Sequence, residues 1–307
     1  MSIIKNINKF PKLIFDPKMR FSYLTAIGLT NWMSDEVFIK KKFRYTMGYP
    51  LNLEAPKTFN EKLQWLKLYD RRPEYTIMVD KYAVKKYVAD KIGEDYIIPT
   101  LGVWDNPDDI DFDALPSRFV LKCNHNSGLG MCICKDKSEL DIEKVRSELR
   151  RGLAQDYYLT GREWPYKNVP RRIIAEKYME DAKEDVIRDY KWFCFDGKPQ
   201  FMYISNDGAE HSTTDFFDME FNHLPFRFKD PNSEILPSKP LKFDEMRKLA
   251  EVLSEGIPHV RVDFYLVNGN IYFGELTFFH NSGFGNIQPK EYEKIIGDMI
   301  SLPTKTE

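Results

Sequence analysis

The stretch that decides the fold is His259-Val260-Arg261-Val262-Asp263-Phe264-Tyr265-Leu266-Val267, then Asn268-Gly269, then Asn270-Ile271-Tyr272-Phe273-Gly274-Glu275-Leu276-Thr277-Phe278. Two apolar runs flank an Asn-Gly pair, a strong local signal for a tight β-hairpin. Each run carries one acid among apolar and aromatic neighbours, Asp263 and Glu275, and Arg261 stands two residues before Asp263. Residues two apart on a strand share a face, so Arg261 and Asp263 project together. Carboxylates inside such strands need a partner. A hard divalent cation, most simply Mg²⁺ on phosphates, supplies one kind of partner. An Arg–Asp ion pair on the exposed face of a hairpin is the other.

Working outward, Phe243–Leu253 has helical periodicity, and residues 206–240 are irregular and Pro-rich. Tyr190–Phe195 and Gln200–Ser205 read as strands joined across Asp196-Gly197, and Ile173–Met179 as a further strand. Arg118–Cys123 and Met131–Cys134 read as another hairpin, followed by a charged helix from Ser138 to about Gln155 and a loop over 157–170. Nearer the start, Thr58-Phe59-Asn60-Glu61 is a capping-box pattern with Phe59, Leu63 and Leu66 at helical spacing, and one helix is predicted from Pro73 to Gly93. The order is a helical first third followed by mixed α+β with antiparallel hairpins. The expected divisions are a helical, basic region over 1–57, a helical part over 58–115, a lid-like sheet unit over 116–180, and a unit over 181–307 that carries the acidic hairpin.

The bulk properties narrow the class. The 307 residues carry a net charge of -2, with 30% charged and 42% hydrophobic residues. No apolar run approaches the roughly 20 residues that cross a bilayer, no secretory leader pattern opens the chain, and four cysteines make no disulfide framework. A cytoplasmic protein is expected. Residues 1–50 hold nine Lys and Arg against Asp16, Asp35 and Glu36. Mixed with Ile3, Ile4, Phe10, Leu13 and Phe21, this composition suits peripheral association with the inner face of an anionic membrane, or a helical lobe with a solvated basic face. No nucleic-acid motif accompanies it.

Three further clusters carry chemistry. In Val120-Leu121-Lys122-Cys123-Asn124-His125-Asn126-Ser127-Gly128-Leu129-Gly130 a lysine closes an apolar strand and leads into a glycine-containing loop. Gly128 and Gly130 let backbone N–H groups approach an anion that Lys122 also reaches; a plain turn reads equally well, and this is no Walker loop. On strand alternation Lys122 and Asn124 face a ligand, while Cys123 and His125 face packing. A rival reading makes Cys123, His125, Cys132 and Cys134 a zinc site. The second cluster is Glu176-Lys177-Tyr178-Met179 at the end of a strand. The third is Lys191, a lone cation in an aromatic strand, suited to a phosphate or to a sheet edge.

Taken in order, Asp80-Lys81, the Lys122 strand with its glycine loop, Glu176-Lys177-Tyr178-Met179, Lys191 and the Arg261/Asp263/Glu275/Thr277 hairpin resemble the ATP-grasp superfamily. The stretch Lys57-Thr58-Phe59-Asn60-Glu61-Lys62-Leu63-Gln64-Trp65 and Leu121-Lys122-Cys123-Asn124-His125 make the chain more similar to its TupA-like branch, over about residues 45–303. The resemblance implies an ATP-grasp fold with a nucleotide between two antiparallel sheets, ATP and Mg²⁺ as cofactors, and amide ligation through an acyl phosphate. It implies phosphate contacts from Lys81 and Lys122, with Ser127 and Gly128 in the covering loop. Glu176, Lys177, Tyr178 and Met179 match the adenine connector, Glu184 (or Asp185) the ribose contact, and Lys191 a further phosphate lysine. Asp263 and Glu275 match the metal ligands and Arg261 the arginine at the transferred phosphoryl group. The third metal ligand is usually Asn; here it is Thr277, with Asn281 nearby as a substitute. The family's setting in teichuronopeptide and capsule synthesis implies a small-molecule or glycan carboxylate, a uronic acid, joined to an amine. Residues 207–223 and the loop 278–285 are expected to shape that acceptor site.

Two other readings remain. Asp109-Ile110-Asp111 and Asp111-Phe112-Asp113 each give an Asp-x-Asp pattern used by glycosyltransferases, and Thr277 motivates an ATP-binding scaffold without catalysis.

Overall fold

The computed structural model describes residues 16–182, 187–206 and 212–305. Helices α1 (Pro17–Ala26) and α2 (Asp35–Met47) come first, α2 closing on Gly48 in the left-handed conformation. Helix α3 (Phe59–Tyr69) starts at a true capping box, with Glu61 N–H donating to Thr58 Oγ1 and Thr58 N–H to Glu61 Oε2. The single helix predicted over 73–93 is two, α4 (Glu74–Val79) and α5 (Ala83–Ile92). Asp80 causes the break: its carboxylate accepts from the N–H groups of Tyr82 and Ala83, which restarts the helix in a new direction.

The strands form two antiparallel sheets. The first has the order β1-β4-β2-β3, built from β1 (Thr100–Trp104), β2 (Phe119–Cys123), β3 (Met131–Cys134) and β4 (Ile173–Lys177). Helix α6 (Ile142–Ala154), capped by Asp141, packs Val145 and Leu149 onto Phe119, Leu121 and Cys123. The region 157–170, expected as loop, carries the short helix α7 (Tyr158–Gly161). The second sheet has the order β7-β6-β5-β8-β9, from β5 (Asp189–Phe195), β6 (Lys198–Asn206), β7 (Thr213–Phe217), β8 (His259–Val267) and β9 (Asn270–Thr277). Strands β1 and β7 escaped the sequence reading; both are edge strands of five residues.

Helix α8 (Phe243–Ser254) covers one face of the second sheet, where Trp192, Val260, Val262 and Phe264 are buried and Trp192 meets Phe243 at 4.9 Å between ring centroids. The other face has two halves. Phe193, Phe195 and His259 pack on Phe59 of α3, while Lys191, Arg261 and Asp263 lie further along the same strands. The short helix α9 (Tyr292–Asp298) closes the chain against α3, with Gly297 so close to Lys57 that a Cβ would lie 2.3 Å from its carbonyl oxygen.

Candidate functional site

The hairpin of β8 and β9 turns through Asn268 and Gly269, both at positive φ, as the Asn-Gly signal requires. Arg261 pairs with Thr277, Val262 with Leu276 and Phe264 with Phe273, so a bulge falls at Gly274-Glu275 opposite Asp263. On the neighbouring strand, Lys191 pairs with Asp263 and Phe193 with Arg261. One patch of sheet therefore presents Lys191, Arg261, Asp263, Glu275 and Thr277 on a single face. Gly274 allows this closeness: a Cβ there would meet Asp263 O at 3.1 Å and Asp263 Cβ at 3.3 Å.

Arg261 is the hub. It grips Asp263 with Nε to Oδ1 at 2.7 Å and Nη2 to Oδ2 at 2.6 Å, donates from Nη2 to Glu275 Oε1 at 2.8 Å, and meets His280 Nδ1 from Nη1 at 2.8 Å. Lys191 lies 2.5 Å from Asp189 and 3.5 Å from Asp263. Thr277 Oγ1 donates to Glu275 Oε1 at 2.8 Å. Burial alone would raise the Glu275 carboxyl, yet Arg261, Lys81, the Thr277 hydroxyl and Lys191 outweigh it and hold it down at about 2. Burial likewise lowers Lys191, but Asp263 and Asp189 raise it further, so the ammonium stays charged. His280, desolvated beside Arg261, is kept well below its ordinary value and is neutral. Since an arginine only donates, its Nδ1 must accept and its proton sits on Nε2.

Across the cleft, the first sheet turns Lys122 and Glu176 to the same face, diagonal neighbours in the β2–β4 ladder. Lys122 Nζ lies 2.5 Å from Glu176 Oε2 and Lys85 Nζ 2.7 Å from Oε1. Burial pushes the Glu176 carboxyl up, but the two lysines bring it net downward. Lys81 donates to Asn126 O, and burial lowers its pKa. Lys81, Lys85, Lys122, Glu176, Tyr265 and Gly274 line one recess of about 20 Å³ between the sheets, room for about one water. A larger ligand must part them.

Several sequence expectations shift here. The resemblance places Glu176 in a backbone connector, and its side chain is in addition the counter-ion of Lys122 and Lys85. Lys177 N–H donates to Pro99 O, and Tyr178 sits under Arg118 at the rim; Met179 follows there, half-buried. Asn124 does not face a ligand. It is buried, its amide held by Asp80 Oδ1, Pro170 O and Arg172 N–H. Ser127 is exposed, and Gly128 (φ +79) has open space around it. Gly130 serves packing instead, since a Cβ would meet Cys123 Sγ at 2.7 Å and Gly152 Cα at 2.8 Å. Glu184 and Asp185 lie outside the described residues. Cys123, Cys132 and Cys134 are free thiols, and His125 turns to Gln155 O; among the described residues no three His, Cys, Asp or Glu gather as a metal ligand set. Asp111 spends its carboxylate capping its own turn, on the N–H groups of Asp113 and Ala114. Sequence reasoning missed Lys85, Asp189 and Tyr265, and placed His280 only in the loop expected at the acceptor site, not on Arg261. Of these only Asp189, two residues before Lys191, carried a local signal.

A cavity of about 490 Å³ adjoins the acidic patch, lined by Arg227, Phe228, Lys229, Asn281, Phe284 and Gln288 among others. Asn281 reaches it from the site, its side chain 3.2 Å from His280 Nε2. Asn281, Phe284 and Gly285 of the loop 278–285 line this cavity and 227–231 supply another wall; 212–223 does not line it, and 207–211 lies outside the described residues. Asn281, Ser282 and Gly283 are all left-handed, with φ of 50, 54 and 61°. Helix α3 holds that backbone: Asn60 Nδ2 donates to Gly285 O at 2.7 Å, Gln64 Nε2 to Gly283 O at 2.6 Å, and Lys67 Nζ to Ser282 O at 2.7 Å. These three stand at i, i+4 and i+7, one face of a helix.

Among solved structures, the chain is similar to a D-alanine–D-alanine ligase from Bacillus anthracis complexed with ATP, at 18% identity over 66% of this chain and 54% of that one, with a TM-score of 0.40. It is also similar to the Helicobacter pylori D-alanine–D-alanine ligase (14%, 86% and 69%, 0.39) and to the ATP-grasp ligase PsnB complexed with minimal precursor, Mg and ADP (11%, 84% and 66%, 0.40). The chain spans little more than half the length of the first of these. No curated protein matches it. The family model described as TupA-like ATPgrasp matches residues 61–301, a span that takes in both sheets and the cleft between them, and the chain therefore belongs to the TupA-like ATP-grasp family.

Proposed function

We propose that this chain is an ATP-dependent carboxylate–amine ligase that activates its substrate as an acyl phosphate, and that the activated acid is a uronic acid of a surface polysaccharide. The observation that carries the reading is the opposition, across one cleft, of a lysine surface (Lys81, Lys85, Lys122) and an acid–arginine surface (Arg261, Asp263, Glu275). A polyphosphate fits the first and a divalent cation the second. The donor set suits Mg²⁺, being all hard oxygen. Asp263 and Glu275 would hold the ion. Arg261 and Thr277 both donate to Oε1 of Glu275, which leaves Oε2 for the metal, and a Thr277 hydroxyl that donates its proton keeps its lone pairs free. When bound, Mg²⁺ neutralises charge on the phosphates being parted.

The chain's own residues align and compensate. Lys122 exchanges Glu176 for a phosphate oxygen, and Lys81 and Lys85 add positive charge beside it. Arg261 and Lys191 face the transferred phosphoryl group, stabilising charge in a cleft poor in water. An oxygen of the substrate carboxylate attacks the γ-phosphorus and ADP leaves. The amine nitrogen then attacks the acyl carbon, phosphate departs with that oxygen, and the amine sheds a proton. The cavity beside Asn281 is the acceptor site in this reading: two cations, amide groups and the rings of Phe228 and Phe284, with no carboxylate among the described residues of its lining, suit an acidic sugar.

The test is ADP release by purified protein across a panel of uronic acids and amino acids, with oxygen-18 in the carboxylate. ADP and labelled phosphate are expected. AMP as product, or unlabelled phosphate, would show activation by another route; ATP binding without ADP release from any acid would indicate a scaffold.

A further inference from the structure

We propose that the turn between α1 and α2 docks this protein on an anionic membrane surface. Tyr23, Ile27, Leu29, Trp32 and Val37 are exposed around that turn, Leu29 at 58% and Trp32 at 80%. The turn itself is fixed. Leu29 N–H donates to Leu24 O at 2.9 Å, Thr30 is buried, and its carbonyl accepts from Arg162 Nη2 at 3.1 Å. Phe21 packs against Phe38 and Tyr45 behind it. The body of the protein thus holds the turn inward by Thr30 and presents Leu29 and Trp32 outward.

Charge selects the occupant. On the surface of these two helices stand Lys18, Arg20, Lys40, Lys41 and Arg44 against Asp16 and Glu36. Asp35 and Lys42 are engaged inward, on Arg71 at 2.7 Å and on Thr160 O at 2.6 Å. The sequence that leads into α1, residues 1–15, adds Lys5, Lys9 and Lys12 and no acid, among Ile3, Ile4, Phe10, Leu13 and Ile14. Apolar side chains with an indole at the turn, and cations along the two helices it joins, match the boundary of acidic headgroups and acyl chains, where tryptophan settles and each cation is attracted. No described helix is long and apolar enough to cross a membrane, so the contact is peripheral.

The test is co-sedimentation of the full chain with phosphatidylcholine vesicles, with and without phosphatidylglycerol. Binding to the phosphatidylglycerol vesicles alone, released by salt, is expected. Trp32→Ser should weaken it roughly tenfold, and Lys41→Glu and Arg44→Glu roughly fivefold or more each, with thermal melts unchanged because all three side chains are on the surface. Equal recovery with both vesicle types, or none with either, overturns the proposal. So does a wild-type dimer in solution that Trp32→Ser dissociates, which would assign the patch to a second copy of the chain.

Discussion

The two walls of the cleft solve the same electrostatic problem with opposite remainders. On the β8–β9 wall, Arg261 and Lys191 face Asp263, Glu275 and Asp189, so acid is in excess. On the β2–β4 wall, Lys85 and Lys122 share Glu176 while Lys81 rests on the Asn126 carbonyl, so cation is in excess. Most of the charges are paired, since a buried charge left alone would cost several kcal/mol, yet each wall keeps a surplus. The acid wall is built by strand register, with every member on adjacent strands. The lysine wall is assembled from a helix, a turn and two strands, and its pairs span long stretches of sequence. A register is rigid; an assembly of that kind can trade partners.

Arg261→Met should have the largest effect, because it leaves Asp263 and Glu275 together without their hub. A loss of about 3–5 kcal/mol in urea unfolding is expected, along with all turnover. A melt near wild type would mean that the acid wall is not held by Arg261. Lys122→Ala should act on catalysis instead, on the order of 2–4 kcal/mol in transition-state stabilisation. Its fold should persist because Lys85 remains on Glu176; equal damage to stability would erase the contrast between the walls. Thr277→Ala removes a hydroxyl that orients Glu275. It should raise the Mg²⁺ needed for half-maximal rate about 10–100-fold, and an unchanged requirement would take Thr277 out of the metal site.

The last effect concerns pH. Glu275 sits at about 2 in the folded chain against an ordinary 4.5. A depressed carboxyl stabilises above its ordinary value and loses that contribution as pH falls through the folded one. The stability difference between wild type and Glu275→Gln should therefore be constant near neutrality and shrink between about pH 4.5 and pH 2. Paired unfolding curves measure it, and a difference that shrinks above pH 4.5 would contradict the assignment.

The same contrast explains what was legible beforehand. Half of the acid wall could be read because strand alternation is a local rule that puts Arg261 and Asp263 on one face; Glu275 and Thr277 join that face only through the bulge at Gly274-Glu275, since an unbroken Asn-Gly hairpin would set them on the other. The counter-ion role of Glu176 could not be read, since its partner Lys85 lies on another element and the pairing exists only after the sheet folds over α5. His280 was hidden for a different reason. Its value lies in one hydrogen bond to Arg261, made from a loop whose left-handed residues no periodicity announces. Helix α4 was merged with α5 because Asp80 caps the restart from inside an apolar pattern.

The grip of α3 on the loop 281–285 has a consequence for engineering. Asn60 and Gln64 hold the loop by its carbonyl oxygens, while Lys67 draws in the Ser282 hydroxyl and covers the Phe284 ring at 4.7 Å. A main chain fastened in this way keeps its path when residues are grafted at the exposed Asn286, while Gly283, at positive φ with a Cβ position only 2.4 Å from Gln64 Nε2, admits no replacement. The cavity wall can therefore be redrawn without disturbing the helix that carries it, and a chimera that imports a foreign loop must bring the matching face of α3 with it.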